Sequence, residues 1–268
     1  DILKLWAHEN LRVYADRFTD RVGDTKKFCE IASDKMKEFL EEDWSSLMGE
    51  TPDPDQGPVM CSYMLDYDAS GSDPLPYQEV TDMEKLRSTT EDKLEDYNME
   101  PKLLSMDLAM FKDAVLHITR IHRVLMQARG NMMLVGVGGS GRSSLARLAT
   151  YVAQMQLFTI EITKNYRLIE FHEDLRRLYE TTGCENKQVV FLFNDTQIKD
   201  EAFLEDINNI LSSGTVPNLF AKEDIPALID AVRKDAVKAG VDETSDALYT
   251  YFTGRVRQNL HIVLAMSP

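Results

Sequence analysis

The sequence predicts an α/β fold in which helices flank a parallel β-sheet and a helical segment precedes it. Two observations carry this prediction. From residue 130 onward, short apolar runs alternate with longer amphipathic stretches of helical period. A glycine-rich loop also joins the first apolar run to the helix that follows it. Alternating strands and helices form parallel sheets, which bind ligands at the carboxyl ends of their strands.

The part of the chain before this alternation is mostly helical. From Leu3 to about Trp44, apolar residues recur at intervals of three and four, which predicts helices. Residues 49–58 contain three prolines and two glycines, so they form a linker that no helix continues through. After it we expect a short strand within Val59–Tyr67, a loop at Gly71–Pro76 and helices again from about Thr81.

The elements of the α/β part follow from apolar runs and amphipathic periods. The predicted strands are Asn131–Val135, Phe158–Ile162, Val189–Phe193 and Leu260–Ala265. The predicted helices are Ser143–Gln156, Leu168–Tyr179 and Glu201–Leu211. We therefore divide the chain into a helical segment, a linker and an α/β domain, at residues 1–48, 49–76 and 77–268.

Composition excludes several classes of protein. Hydrophobic residues make up 43% and charged residues 28% of the 268, which excludes a wholly disordered or collagen-like chain. No apolar run approaches the roughly 18 residues of a membrane span. The 45 acidic and 30 basic side chains give a net charge of −15, which repels phosphate backbones. We therefore expect neither a membrane nor a nucleic acid as a main partner.

Cysteines, histidines and chain ends add weaker expectations. The three cysteines are spread widely and lack metal-ligand spacing, which favours a reducing, intracellular compartment. His117 and His122 lie five residues apart and do not share a helix face as a ligand pair would. Because the chain starts with Asp1 and stops after an apparent core strand, we expect a piece of a longer polypeptide.

The strongest motif is Gly136-Val-Gly-Gly-Ser-Gly-Arg-Ser143. It matches the phosphate-binding pattern GxxxxGK[ST], except that Arg142 replaces the lysine. Glycines let consecutive N–H groups face an anion, and the helix that follows adds its positive N-terminal end. Arg142 keeps the charge but presents a planar fork instead of a point charge. Ser143 stands where the hydroxyl binds Mg²⁺. The alternative is a glycine turn without a ligand.

Polar residues follow two of the predicted strands. Asn194 and Asp195 end the run Val189–Phe193, where phosphate-loop NTPases place a carboxylate that binds Mg²⁺ and polarises water. The alternative for Asp195 is a cap of the next turn. Ser267 follows the last strand and is placed either to contact a γ-phosphate or the attacking water, or to form a turn. We expect Arg255 and Arg257 at the surface rather than at a neighbouring subunit's nucleotide.

These motifs together resemble the motor ring of dynein heavy chains, AAA+ ATPases that move on microtubules. The resemblance covers nearly the whole chain. It is carried by Trp6–Arg17, Tyr77–Leu86, Leu134–Arg142, Phe191–Ile198, Phe203–Asn208 and Arg255–Pro268. It implies that residues 1–48 form the helical lid of the third AAA+ module and residues 77–268 the large subdomain of the fourth, truncated at its C-terminus. The arginine in the loop is more similar to axonemal than to cytoplasmic dyneins.

The resemblance implies ATP or ADP with Mg²⁺ as ligands. The residues it implies for the nucleotide are Gly136, Val137, Gly138, Gly139, Ser140, Gly141, Arg142, Ser143 and Ser144. It implies catalytic roles for Asn194, Asp195 and Ser267, and metal binding by Ser143 and Asp195. Asn194 stands where the family has an aspartate, and Asp195 where it has a glutamate. Both departures favour a regulatory site with weak hydrolysis.

The resemblance also implies partners and a location. The partners are neighbouring AAA+ modules of the same chain, microtubules through a stalk outside these residues, and dynein intermediate and light chains. The location is the cytoplasm, the cytoskeleton and the ciliary axoneme, and the parent protein is an ATP-hydrolysing motor. A structural module that holds ADP without catalysis is the alternative. An unrelated NTPase such as a kinase is disfavoured, because nothing in residues 1–129 resembles an acceptor site.

Overall fold

The structure is a computed structural model that describes residues 2–20, 22–45, 57–64 and 76–268. The chain forms two compact units, Asp1–Asp92 with Met110–Arg120 and Lys93–Ala109 with Ile121–Pro268. Most of the predicted linker, the end of the predicted strand Val59–Tyr67 and the predicted loop Gly71–Pro76 apart from its last residue lie outside the described residues. The segment boundaries proposed from the sequence stay predictions.

The first unit is mainly helical at its start, as its apolar spacing predicts. Helix α1 comprises Ile2–Tyr14 and α2 comprises Gly23–Leu40, with a 3₁₀ turn at Ala15–Arg17 between them. Their buried residues form one cluster with Trp44: Ala7, Leu11, Ala15, Cys29, Ala32 and Met36. Strands β1 (Met60–Cys61) and β2 (Gln78–Glu79) pair antiparallel, so a short strand is present where one is predicted.

Two further helices follow β2. Helix α3 comprises Met83–Met99 and α4 comprises Lys112–Leu125, so helices are present after Thr81 as predicted. Leu86 of α3 and Ile118 of α4 are fully buried, whereas Phe111, which directly precedes α4, is 62% exposed. No helix in the described ranges has the length and hydropathy of a membrane span.

The second unit contains the predicted parallel sheet. Its four strands are β3 (Met132–Val135), β4 (Gln156–Phe158), β5 (Val189–Asn194) and β6 (Leu260–Met266), in the order β3-β6-β5-β4. Its helices are α5 (Arg142–Val152), α6 (Leu168–Tyr179), α7 (Glu201–Ser213), α8 (Ile225–Lys238) and α9 (Ser245–Asn259). The predicted fold class is confirmed, whereas α8 and α9 were not among the predicted helices.

The strand predicted over Phe158–Ile162 is wrong beyond its first residue. Strand β4 begins at Gln156, because α5 ends at Val152 and Gln154 adopts a left-handed conformation (φ 55°) that no helix continues through. The ladder with β5 then ends at the pair Phe158–Phe191. The predicted helix Ser143–Gln156 is correspondingly four residues too long.

The register of the sheet places three strand ends at one edge. Val135 pairs with Met266, and Asn194 pairs with Ala265. The residues that follow β3, β5 and β6 therefore emerge side by side. Strand β5 is held firmly in this arrangement, since the residues of Val189–Phe193 are at most 1% exposed and Val189, Phe191 and Phe193 pack in the large apolar cluster of the unit.

Candidate functional site: the glycine-rich loop and three strand ends

The glycine-rich loop is bound to the sheet where β3 ends. The Gly136 N–H donates to the Met266 carbonyl at 3.2 Å, and within the loop the Ser140 N–H donates to the Val137 carbonyl at 3.2 Å. Gly139 and Gly141 have left-handed φ angles of 79° and 81°. A side chain at either position is strained, so the shape of the loop requires these two glycines.

Helix α5 begins directly after this loop with its N-terminal end uncapped by a side chain. Gly141 is its N-cap residue and provides no side-chain acceptor. The first N–H groups of an α-helix have no partner within the helix, and those of the glycine-rich loop precede them directly. N–H groups at a glycine loop and a helix N-terminus bind anions, phosphate above all. The loop therefore fits a phosphate group.

Gly138 leaves open space beside the loop. A Cβ atom built on Gly138 has no neighbour within 4 Å, and the residue does not have a left-handed φ. The fold itself thus has no need of glycine here. Open space above an unstrained glycine fits a site in which another molecule approaches the backbone closely.

Arg142, the arginine of the loop, contacts the end of β6. Its guanidinium donates to the Met266 carbonyl, the same oxygen that accepts from Gly136. The positive charge therefore lies over the ends of β3 and β6, beside the loop. The predicted role of Arg142 as a phosphate ligand stays a prediction.

Ser143 and Asn194 join the loop to β5. The Ser143 hydroxyl donates to the Asn194 side-chain oxygen at 2.8 Å. Ser144, which the resemblance adds to the nucleotide site, lies next to Ser143 in the first turn of α5 and is half-buried. The structure thus brings together the two motifs that are 51 residues apart in the sequence.

Asp195 lies beside them and is bound to the end of β6. One carboxylate oxygen accepts from the Ser267 N–H at 2.9 Å, and the other accepts from the Thr196 N–H at 2.8 Å. Hydrogen bonds from the side chain and backbone of Ser267, with a smaller contribution from the positive charge of Arg142, hold the pKa of Asp195 below its usual range. The predicted candidates Asn194, Asp195 and Ser267 are therefore neighbours, and the carboxylate is ionised at neutral pH.

These oxygen atoms suit Mg²⁺ chemically. A hydroxyl, an amide oxygen and a carboxylate are hard donors, and Mg²⁺ combines one or two carboxylates with phosphate oxygens and water. Ser143, Asn194 and Asp195 supply that set. Within the described ranges, no group of three or more His, Cys, Asp or Glu side chains is placed to hold a metal ion by itself.

Sequence reasoning missed Gln197. Its side-chain oxygen accepts from the Asn194 N–H at 2.7 Å, and its side-chain nitrogen donates to the Ile160 carbonyl at 2.7 Å. The signal was available, because an amide three residues after a polar N-cap residue is the spacing of a capping box.

The surface prediction for Arg255 is wrong. Arg255 is 6% exposed, its guanidinium pairs with Asp235 of α8 at 3.0 Å, and it lies 5.8 Å from the ring centre of Tyr251. Its position on the inner face of α9 explains the burial, since that helix packs against α8. Arg257 is half-buried and covers Gly214, which has no room for a side chain.

Comparisons with known proteins agree with this geometry. A family profile described as the P-loop containing dynein motor region D4 matches residues 106–268. The chain is 46% identical to the Dynein-1-beta heavy chain of the flagellar inner arm I1 complex of Chlamydomonas reinhardtii. It is 45% identical to the human Dynein axonemal heavy chain 2 and 41% identical to the mouse Dynein axonemal heavy chain 1.

Each of these alignments covers 100% of this chain and 6% of the relative, so the chain spans a small part of the length of the proteins it matches. The profile covers the loop, the ends of β5 and β6, and the whole parallel sheet. The residues that form the candidate site are thus the ones inside the matched region. The chain belongs to the dynein heavy chain family, in its P-loop containing D4 motor region.

Proposed function

We propose that this chain is a nucleotide-binding AAA+ module of an axonemal dynein motor, with ATP or ADP and Mg²⁺ as its ligands. The observation that carries the proposal is the hydrogen bond between Ser143 of the glycine-rich loop and Asn194 at the end of β5. It supports the proposal because it joins the glycine-rich loop to Asn194, whose side-chain oxygen, with the carboxylate of the next residue, is of the kind that suits Mg²⁺.

Each part of the site has its own task in this proposal. The loop N–H groups of Gly138, Gly139 and Gly141, with those of Ser143 and Ser144 at the start of α5, bind the phosphates, and Arg142 neutralises their charge. Ser143, Asn194 and Asp195 hold Mg²⁺, which screens phosphate charge when bound. Ser267 fixes the Asp195 carboxylate through its N–H.

We further propose that hydrolysis at this site is weak and that its role is regulatory. A general base works best when its pKa lies near the working pH. Asp195 instead has a lowered pKa, and both of its oxygens accept backbone hydrogen bonds. Asn194 adds an amide where a second carboxylate would hold the metal more tightly. Both features favour nucleotide binding over rapid turnover.

Location and partners are proposals drawn from the relatives. Their names place them in axonemes and in a flagellar inner arm complex, which supports the ciliary axoneme and its cytoskeleton for this chain. Neighbouring AAA+ modules of the same heavy chain are the partners we propose at the nucleotide, with an arginine finger supplied from one of them. Microtubules and dynein intermediate and light chains would be partners of the whole motor.

The alternative is a structural module that holds ADP without catalysis. The contact between Arg142 and the Met266 carbonyl favours it, because a guanidinium engaged by the protein is less available to a γ-phosphate. The two functions differ in exchange: a regulatory site exchanges its nucleotide and distinguishes ATP from ADP, whereas a structural site retains ADP.

Hydrogen–deuterium exchange tests the proposal at this site alone. Amides of residues 136–145 are followed while ATP or ADP is added to the full chain, with and without Mg²⁺, after chromatography has identified any nucleotide retained through purification. We expect saturable protection that Mg²⁺ strengthens and that is greater with ATP. Retained ADP that does not exchange supports the structural module. Absence of protection with every nucleotide contradicts both.

A further inference from the structure

Gln197 links the candidate site to the segment that follows β4. It is the last residue of the 3₁₀ turn Asp195–Gln197 and lies half-buried. Both the oxygen and the nitrogen of its side-chain amide form hydrogen bonds. The oxygen accepts from the Asn194 N–H and the nitrogen donates to the Ile160 carbonyl, each at 2.7 Å.

These two hydrogen bonds lie just beyond the point where the backbone pairing between β4 and β5 ends, and they take its place there. The last pair between β4 and β5 is Phe158 with Phe191. Beyond it, Ile160 is 4% exposed, and its carbonyl faces Gln197 instead of a neighbouring strand. Without the Gln197 side chain, a buried carbonyl and the Asn194 N–H both lack partners, and unpaired groups of this kind are costly.

The backbone of Asn194 decides where its side chain lies. The Asn194 side-chain oxygen accepts a hydrogen bond from the Ser143 hydroxyl at 2.8 Å, and Asp195 is the next residue in the chain. A hydrogen bond on the Asn194 N–H therefore restrains the backbone directly before the two residues that supply the oxygen donors. The chain of contacts runs from Ile160 through Gln197 and Asn194 to Ser143.

We propose that Gln197 is a positioning residue, which holds the Asn194 backbone so that the Asn194 side-chain oxygen at the end of β5 faces the Ser143 hydroxyl. Its effect on the ligand rests on the function proposed above, and it predicts selective weakening of Mg²⁺-dependent nucleotide binding when Gln197 is changed. Ordinary loss of stability would weaken binding with and without Mg²⁺ alike.

The test compares three variants of the full chain that contains these residues. Gln197→Met keeps the length of the side chain and removes both hydrogen bonds. Gln197→Glu keeps the acceptor for the Asn194 N–H and removes the donor to Ile160. Gln188→Met is the matched control, because Gln188 is exposed and precedes the opposite end of β5.

Hydrogen–deuterium exchange gives two readouts. The first is the exchange rate of the Asn194 amide without nucleotide, with the amides of Val190–Phe193 as a check that the sheet is folded. The second is the concentration of ATP that half-protects residues 136–145, with and without Mg²⁺. The first readout tests the contact itself and needs no ligand.

We expect Gln197→Met to speed exchange of the Asn194 amide and to raise the half-protecting concentration of Mg-ATP by about five- to tenfold, the worth of one buried hydrogen bond. The concentration of ATP that half-protects these residues without Mg²⁺ should change by less than about twofold. Gln188→Met should resemble the unmodified chain in both readouts. Gln197→Glu should fall between the unmodified chain and Gln197→Met, because its carboxylate keeps the acceptor for the Asn194 N–H but is repelled by the Ile160 carbonyl.

Three results overturn the inference. One is a Gln197→Met chain whose Asn194 amide and Mg-ATP protection match the unmodified chain. Another is equal weakening with and without Mg²⁺. The third is a Gln197→Glu chain that behaves like Gln197→Met, which would assign the effect to Ile160. If the unmodified chain shows no protection by any nucleotide, the proposed function fails instead, while the Asn194 exchange rates still report on the contact.

Discussion

The Ser143 hydroxyl donates a 2.8 Å hydrogen bond to the Asn194 side-chain oxygen, which fastens the first turn of α5 to the end of β5. The loop supplies N–H groups that suit an anion and the strand end supplies oxygen atoms that suit a cation. This contact therefore joins the two sides of the proposed nucleotide site.

Asn194→Asp should tighten binding of Mg-ATP by about tenfold, since a carboxylate binds Mg²⁺ more strongly than an amide oxygen and still accepts from Ser143. Calorimetry with and without Mg²⁺ measures the change. Asn208→Asp is the matched control, because Asn208 is exposed on α7. Equal Mg²⁺ dependence in the variant and the unmodified chain would mean that Asn194 does not face the metal.

Arg142→Ala should weaken nucleotide binding by roughly ten- to a hundredfold, the usual worth of a hydrogen bond to a charged group. Arg142→Lys should recover part of the loss, because the charge returns without the planar fork. Arg147→Ala, on the same helix but past its first turn, serves as control in the same titration. Unchanged affinity in Arg142→Ala would show that this guanidinium serves only the Met266 carbonyl.

Gly138→Ala should separate binding from folding. The added methyl meets no atom within 4 Å, so we expect stability to stay the same or rise by about 0.5 kcal/mol while nucleotide affinity falls. Gly183→Ala is the opposite case, because its methyl would lie 2.3 Å from the Phe252 ring and should cost about 1–3 kcal/mol. Urea unfolding and a nucleotide titration measure the two effects. Undiminished affinity in Gly138→Ala would argue against a ligand at this glycine.

His122 should make stability fall in mild acid. Burial lowers its pKa to about 4 from an ordinary value of 6.5, since the charged form loses its hydration. The neutral His122 side chain makes its full contribution to the free energy of unfolding above pH 6.5. That contribution is lost as pH falls below 6.5, because the unfolded chain then binds a proton that the folded chain does not bind.

From this group alone, the free energy of unfolding should be about 2 kcal/mol lower at pH 5 than at pH 8. Urea unfolding at both pH values measures it. His122→Gln should remove that part of the difference, whereas His117→Gln, at an exposed position of the same helix, should leave it intact. The same pH difference in both variants would assign the acid sensitivity to other groups.

The local pattern of apolar and polar residues was enough to predict most of the fold. Strands β3, β5 and β6 follow from apolar runs bounded by glycine or polar residues, and α6 and α7 follow from amphipathic spacing. Strand β4 was misplaced because Ile160 and Ile162 are as apolar as a strand requires. The sheet ladder ends before them, and that end is set by β5 rather than by their own sequence.

For the candidate site too, some features follow from the local sequence and others from tertiary contacts. Spacing and backbone freedom are local properties, so they were enough to predict that a glycine-rich loop precedes a helix and that oxygen donors follow two strands. The contact of Arg142 with the Met266 carbonyl, the hydrogen bond of Gln197 to Asn194 and the burial of Arg255 are visible only in the folded chain. Where a side chain points and what it meets depends on elements distant along the chain, and packing of α8, α9 and the four strands supplies those partners.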